Sequence, residues 1–465
     1  RRAKARRTPR ARRVIAGASE LFGELYGTSA MRAVFAPRAR LRAMLAVEAA
    51  LARAEARVGV IPATAAEAIT AAADVDRLDV EAIAAATQHV GYPVVPVTKQ
   101  LARLAGDAGR YVHWGATTQD VLDTATVLQL DEGFGLIEAD LTATAAALAR
   151  RAREHRDDVM AGRTHLQHAL PVTLGYKLAV CLAPLLDHLD RLRAARERVR
   201  TVQFGGAVGT LASLGARGRE VVVALAAELG LHVPDAPWHV DRSAFADAAC
   251  TLGLICGSLA KFATDVVLLM QTEVGEVAEP HAPGRGGSST MPQKRNPIAS
   301  EYVLAAARGV HALVPLLLGA MAGDHERATG PWQAEEIALP QIFVLTSAAC
   351  AQARAIAEGM TVDVARMRRN LEATGGLIVS EAVSMALAER LGHAQAHHLV
   401  QQASATAIEA NRPLLEILAE TDEVTAYFDR AALARLLDPA RYTGEAGAVV
   451  DRVLARASRA FAHDR

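Results

Sequence analysis

The sequence predicts an all-α protein, on three observations. Alanine and leucine dominate a chain of 465 residues that is 51% hydrophobic and 4% aromatic. Stretches in which β-branched residues alternate with polar ones are few and short. Apolar residues instead recur with helical spacing over long segments. A chain of this length outgrows one hydrophobic core, so two or three domains are expected.

Residues 1–19 form a basic tail, in which Arg1, Arg2, Lys4, Arg6, Arg7, Arg10, Arg12 and Arg13 predict a solvated, disordered arm. The tail lacks the apolar stretch of a secretory signal. An N-terminal helical domain is expected over 20–111. Within it Leu41, Met44, Leu45, Val47 and Leu51 fall near one face of a helix over 40–58, which Gly59 and Pro62 stop. Longer helices are expected over 118–155, 171–202, 244–279, 297–322 and 339–358. Helices of that length are satisfied by packing along each other, so 112–360 reads as a long central helix bundle. Polar or Gly-rich loops at 112–119, 162–169, 204–210 and 280–289 place chemistry at helix ends or between subunits. Past Gly359 the helices shorten into a C-terminal helical domain, 361–465, with Asp363 a candidate cap and Arg366, Arg368 and Arg369 exposed.

The 51 basic and 51 acidic residues cancel, so no net field favours nucleic acid or a membrane. The apolar runs 252–260 and 313–322 are broken by Ser or Gly and bounded by charge, well short of the ~18 residues of a membrane span. They are expected to be buried in protein. Cys181, Cys250, Cys256 and Cys350 show no C-x-x-C spacing and read as reduced core thiols of a cytoplasmic protein. No His/Cys/Asp/Glu group has ligand spacing, so neither a metal nor another cofactor is expected.

The most informative stretch is Gly284-Arg285-Gly286-Gly287-Ser288-Ser289-Thr290-Met291-Pro292-Gln293-Lys294-Arg295-Asn296-Pro297. Its glycines and serines offer free amide N–H groups, Lys294 and Asn296 add a charge and a donor, and Pro297 suits the first turn of a helix. Such a loop can hold a carboxylate whose α carbon is losing a proton, because preorganised donors stabilise the extra charge of the aci-carboxylate.

This loop resembles the GSSxMPxKxNP signature of the fumarase/aspartase superfamily. The resemblance implies that Ser288 is the base at the carbon beside the carboxylate, that Lys294 and Asn296 bind that carboxylate, and that Ser289 and Met291 line the same site. His113-Trp114-Gly115-Ala116-Thr117-Thr118-Gln119-Asp120 resembles the first conserved region, with Thr117 and Thr118 on the substrate carboxylate and His113 and Gln119 beside them. Gly162-Arg163-Thr164-His165-Leu166-Gln167-His168-Ala169-Leu170-Pro171 resembles the second, with Thr164, His165 and Gln167 facing substrate. Arg327 of His325-Glu326-Arg327 is a further substrate-binding candidate. The family likeness covers nearly the whole chain after residue 20. It implies a three-domain all-α fold and a homotetramer with a central twenty-helix bundle, each active site drawing on three subunits.

Within that family the body of the sequence is most similar to the bacterial 3-carboxy-cis,cis-muconate cycloisomerase group, through 112–120, 203–206, 270–273, 284–297 and 367–371. Two positions depart from it. His165 stands where that group carries Trp, and Glu301, seven residues past Lys294, stands where it is typically not acidic. In eliminating members a histidine and a glutamate at these places form a hydrogen-bonded catalytic pair. The departure favours a carbon–nitrogen lyase releasing fumarate from a small succinate, nitrosuccinate lyase foremost, with the cycloisomerase as the alternative. Glu336, where adenylosuccinate lyases place a phosphate-binding arginine, argues for an unphosphorylated dicarboxylate substrate. A non-catalytic homologue is disfavoured by the intact Ser288, Lys294, Asn296, His165 and Thr118 set.

Overall fold

The computed structural model describes residues 21–462 apart from 281–283, 285, 288 and 289. The basic tail, Ser288 and Ser289 therefore lie outside the described residues. The described chain is built of helices, with two small two-stranded sheets.

Six helices form the frame of the chain. Helix α1, Pro37–Arg57, starts with Pro37 in its first turn, where a missing N–H costs nothing, and buries Leu41, Met44, Leu45, Val47 and Leu51. Gly59 comes after it at φ 74°, as its place past the helix end requires. Helix α2 is Thr118–Glu154, α3 Leu174–Val199, α4 Ser243–Leu269, α5 Ile298–Ala320 and α6 Pro331–Gly359. Shorter helices succeed Gly359, the first being Val364–Glu372, whose N-terminus Asp363 caps by accepting from the Arg366 N–H at 2.8 Å.

Two expected helix bounds are corrected. The helix expected over 171–202 begins at Leu174, because Pro171 to Thr173 belong to a strand; the helix expected over 244–279 ends at Leu269. Strand β1, Val159–Thr164, pairs antiparallel with β2, Gln167–Thr173, through the segment expected to be a loop at 162–169. The register shifts between Ala161 and Arg163, and Gly162 sits at that bulge with its absent Cβ only 2.5 Å from the Leu170 carbonyl oxygen. The turn closing the hairpin is His165-Leu166, both at positive φ, 50° and 63°. Two left-handed residues in a two-residue loop match the twist of the flanking strands, a conformation usually given to Asn or Gly.

The chain divides into two compact units. The first takes the described residues up to Asp140, His188–Gly257 and Tyr302–Ala351; the second takes Leu141–Asp187, Ser258–Glu301 and Gln352 onward. The divisions fall inside α2, α3, α4, α5 and α6. In the first unit one core cluster joins Leu41, Met44, Ile69, Leu101, Leu122 and Trp332. In the second, Val383, Leu387, Val400, Leu414, Leu418 and Leu433 form another.

Helices α4 and α5 are longer and more continuously apolar than their interrupted runs imply. Each reaches a mean hydropathy of 1.7, enough by length and composition to cross a membrane, and only 50% and 33% of those windows are buried within the chain. Leu254 of α4 and Leu316 and Leu318 of α5 are 54%, 40% and 48% exposed. Cys181, Cys256 and Cys350 are buried and Cys250 half-buried, all unbridged. Burial pushes the Cys181 and Cys256 thiols up to about 11 and about 12, so neither is a nucleophile near neutral pH.

Candidate active site

In the first compact unit, the turn entering α2 carries the Thr117-Thr118 pair. Asp120, in the first turn of the helix, reaches back to accept the Thr117 N–H at 2.9 Å, one half of a capping box. Its Oδ1 and Oδ2 also accept the N–H groups of Gly205 and Gly206, each at 2.9 Å, and Oδ1 lies 2.7 Å from His239 Nε2. Asp120 is buried, so it ties three separate segments together in a low-dielectric setting. A side chain at Gly205 would collide with the His239 ring at 2.9 Å. Neither Asp120 nor His239 was expected to be a site residue; nothing local marks a pair 119 residues apart. The Thr117 and Thr118 hydroxyls make no hydrogen bond among the described residues and stand at the positive end of a 37-residue helix, where an anion is stabilised.

Gln119 is fully buried and its amide is spent inside the protein. It donates to Asp123 and to the His239 carbonyl at 3.1 and 2.8 Å, and accepts from Arg327 Nε at 3.1 Å. Arg327 also donates to the Ala207 carbonyl at 3.1 Å. Both residues, expected against substrate, also link α2 to the Ala207 and His239 backbone. His113 takes φ 62° and places Nδ1 2.6 Å from the buried carboxylate of Glu48 on α1.

The second compact unit carries the hairpin and the signature loop. Arg163, inside β1, makes a bidentate pair with Glu276, at 2.9 and 2.7 Å. Glu276 is 0% exposed, and Asn370 donates to it and to the Val274 carbonyl, both at 2.8 Å. This network is the fixed base from which the hairpin projects Thr164, His165 and Gln167, all exposed and without side-chain hydrogen bonds among the described residues. Further along, burial and the Arg163 charge lower the pKa of His168.

The signature loop is pinned at its base. The Asn296 N–H donates to the Gly286 carbonyl at 2.9 Å, and Gly287 bridges Arg295. Glu279 accepts from the backbone N–H groups of Ala299 and Ser300 and from the Ser300 hydroxyl, at 2.9, 2.7 and 2.7 Å, capping α5 from outside its own segment. Lys294 and Met291 are exposed and Asn296 half-buried. Glu279→Ala removes these acceptors, and a loss of about 1–3 kcal/mol of stability is expected, with an increase in KM from the loosened loop. Calorimetry with steady-state kinetics measures both; an unchanged melting temperature would show the cap to be dispensable.

Glu301 lies in the first turn of α5, exposed, and has no hydrogen bond to His165 within the chain. An acidic residue there has a plain local reason, since it complements the positive end of the helix. His165 likewise suits its turn, because His is enriched among non-glycine residues at positive φ. His113, His165 and His325 all sit in that region of backbone space, in the first conserved region, the second and the His325-Glu326-Arg327 stretch respectively.

A family model described as "Lyase" matches residues 25–311, and one described as "Adenylosuccinate lyase C-terminus" matches 376–453. The chain belongs to the fumarase/aspartase superfamily. Among relatives of this superfamily member, a 3-carboxy-cis,cis-muconate cycloisomerase of Pseudomonas aeruginosa is 51% identical over 94% of this chain and 96% of its own. The crystal structure of 3-carboxy-cis,cis-muconate lactonizing enzyme from Pseudomonas putida superposes with a TM-score of 0.91 at 46% identity, covering 95% of this chain and 100% of that one. A fumarate lyase from Mesorhizobium is 46% identical with a TM-score of 0.88, over 92% and 98% of the two chains.

The cycloisomerase relatives overturn the expectation of a fumarate-releasing carbon–nitrogen lyase with nitrosuccinate as substrate. The expectation set one pair of residues, His165 and Glu301, against the rest of the sequence. The body of the protein is akin to the cycloisomerases, and each member of the pair has a local structural reason to be where it is.

Proposed function

We propose that this superfamily member is a 3-carboxy-cis,cis-muconate cycloisomerase. The observation that carries the reading is 51% identity, over nearly the full length of both chains, to a protein of that activity. Closing the lactone adds one carboxylate oxygen to an alkene carbon and a proton to the neighbouring carbon, which is α to another carboxylate. Read backwards, the step is a β-elimination in which the leaving group is a carboxylate. The charge therefore builds on the α-carboxylate, as in every reaction of this superfamily. The Thr117-Thr118 turn with Lys294 and Asn296 holds that group, Ser288 moves the proton, and His113 helps to bind a substrate with three carboxylates. A carboxylate leaves without being protonated, so His165 needs no acidic role and no Glu301 partner. The family homotetramer, with sites drawn from several chains, supplies cover for the apolar faces at Leu254, Leu316 and Leu318.

The test monitors loss of the diene ultraviolet absorbance of 3-carboxy-cis,cis-muconate and identifies the lactone by NMR, with one deuteron entering from D2O. His165→Trp is expected to keep lactone formation within about threefold of the parent, since the side chain neither gives nor takes the proton. Fumarate release from succinates by a parent enzyme that forms no lactone would overturn the reading.

A further inference from the structure

Helix α1 carries two buried glutamates two turns apart, at positions 48 and 55. Glu48 is 2% exposed and Glu55 0%. Oε1 of Glu48 meets His113 Nδ1 at 2.6 Å; Oε2 of Glu48 and both oxygens of Glu55 are buried without a hydrogen-bond partner among the described residues. Two neighbouring carboxylates in such a place do not both ionise. Burial, reinforced by the Glu48 charge, pushes Glu55 up to about 9, so Glu55 is neutral at physiological pH. Glu48 then faces one partner, His113, whose ring is otherwise unbonded among the described residues and sits four residues before Thr117.

We infer that Glu48 is a positioning residue for the substrate turn: it holds His113 as an imidazolium, Nδ1–H donated to Glu48 and Nε2–H offered to a substrate carboxylate. This inference rests on the cycloisomerase reading, under which a substrate with three carboxylates needs cationic partners beyond Lys294. The groups acting on the His113 charge are Glu48 and, more weakly, Asp120; burial opposes them, and the net effect raises its pKa. His113 is charged in acid with or without Glu48, and Glu48 extends the charged range upward, so the contribution of Glu48 to binding is small below the ordinary histidine range, greatest between that range and the raised value, and lost above it.

Glu48→Gln tests this. KM for 3-carboxy-cis,cis-muconate is expected to rise about tenfold at pH 8 and less than about threefold at pH 6, with kcat little changed. Glu48→Asp is expected to recover most of the loss, and also serves if the Gln variant does not fold. An independent readout is the His113 titration, measured by NMR of 13Cε1-labelled histidine and assigned with His113→Gln, which is expected to move to lower pH in Glu48→Gln. A loss equal at both pH values, shared by kcat and KM and accompanied by a lower melting temperature, would make Glu48 merely structural. An unmoved His113 titration would overturn the inference outright. A shifted titration in a protein whose parent forms no lactone would keep Glu48 in this role and remove the cycloisomerase reading instead.

Discussion

Ser288→Ala is expected to lower kcat for lactone formation by about two to four orders of magnitude while KM changes little. The step it serves is proton transfer at a carbon beside a carboxylate, the difficult part of the reaction in either direction. A serine hydroxyl is a weak acid and a weaker base, so in the proposed mechanism its use depends on the amide-rich sequence from Gly284 to Asn296 to supply N–H donors to the alkoxide. In the proposed mechanism carboxylate binding falls to other groups, Lys294 and Asn296 among them, which Ser288→Ala leaves in place. Substitution of Lys294 should accordingly act on KM more than Ser288→Ala does. Steady-state kinetics on Ser288→Ala, with circular dichroism and gel filtration to establish that the assembly is intact, measure the effect. Retention of a tenth or more of the parent kcat would remove Ser288 from the proton transfer.

Arg242→Met is expected to destabilise the protein by about 3–5 kcal/mol, the largest stability effect anticipated for a single side chain. Arg242 is buried and makes bidentate pairs on both sides, with Asp123 at 2.8 and 3.0 Å and with Glu335 at 2.7 and 2.5 Å. Its guanidinium also lies 5.0 Å over the Trp238 ring and 4.9 Å over Phe245. Burial works against the charge, and the attraction of Asp123 with the hydrogen bonds to Glu335 outweighs it, so the pKa of Arg242 is raised. Methionine fills much of the volume but leaves Asp123 and Glu335 buried without a counter-charge. Unpaired buried carboxylates have raised pKa values, so the variant should recover stability as pH falls and lose it as pH rises. Asp123→Asn with Glu335→Gln in the Arg242→Met background should restore part of the loss by removing both charges. The consequence reaches the site, because Asp123 also accepts from Gln119, which holds Arg327. Denaturant unfolding of the three proteins at two pH values decides it; a single variant as stable as the parent would show that the network contributes nothing net.

The range of each signal along the chain set how much could be read from the sequence alone. Helical periodicity and capping are local, so the all-α class, the Thr118–Glu154 helix within a residue of its expected end, and the Asp363 cap were all legible. The superfamily was legible for the same reason, since the Gly284 to Pro297 and His113 to Asp120 stretches are contiguous runs. The hairpin of β1 and β2 was not. Its register rests on a bulge at Gly162 and a turn at His165-Leu166 that lacks the usual Asn or Gly, so the segment resembled a loop running into a helix. The weight given to His165 and Glu301 failed likewise, because a pairing read from two positions presumes a proximity that only packing can supply. Glu48 under His113, His239 on Asp120 and Arg242 between Asp123 and Glu335 join residues 65 to 119 positions apart. Which buried charge meets which partner is settled when helices pack; that is a property of the tertiary structure, and no period in the chain encodes it.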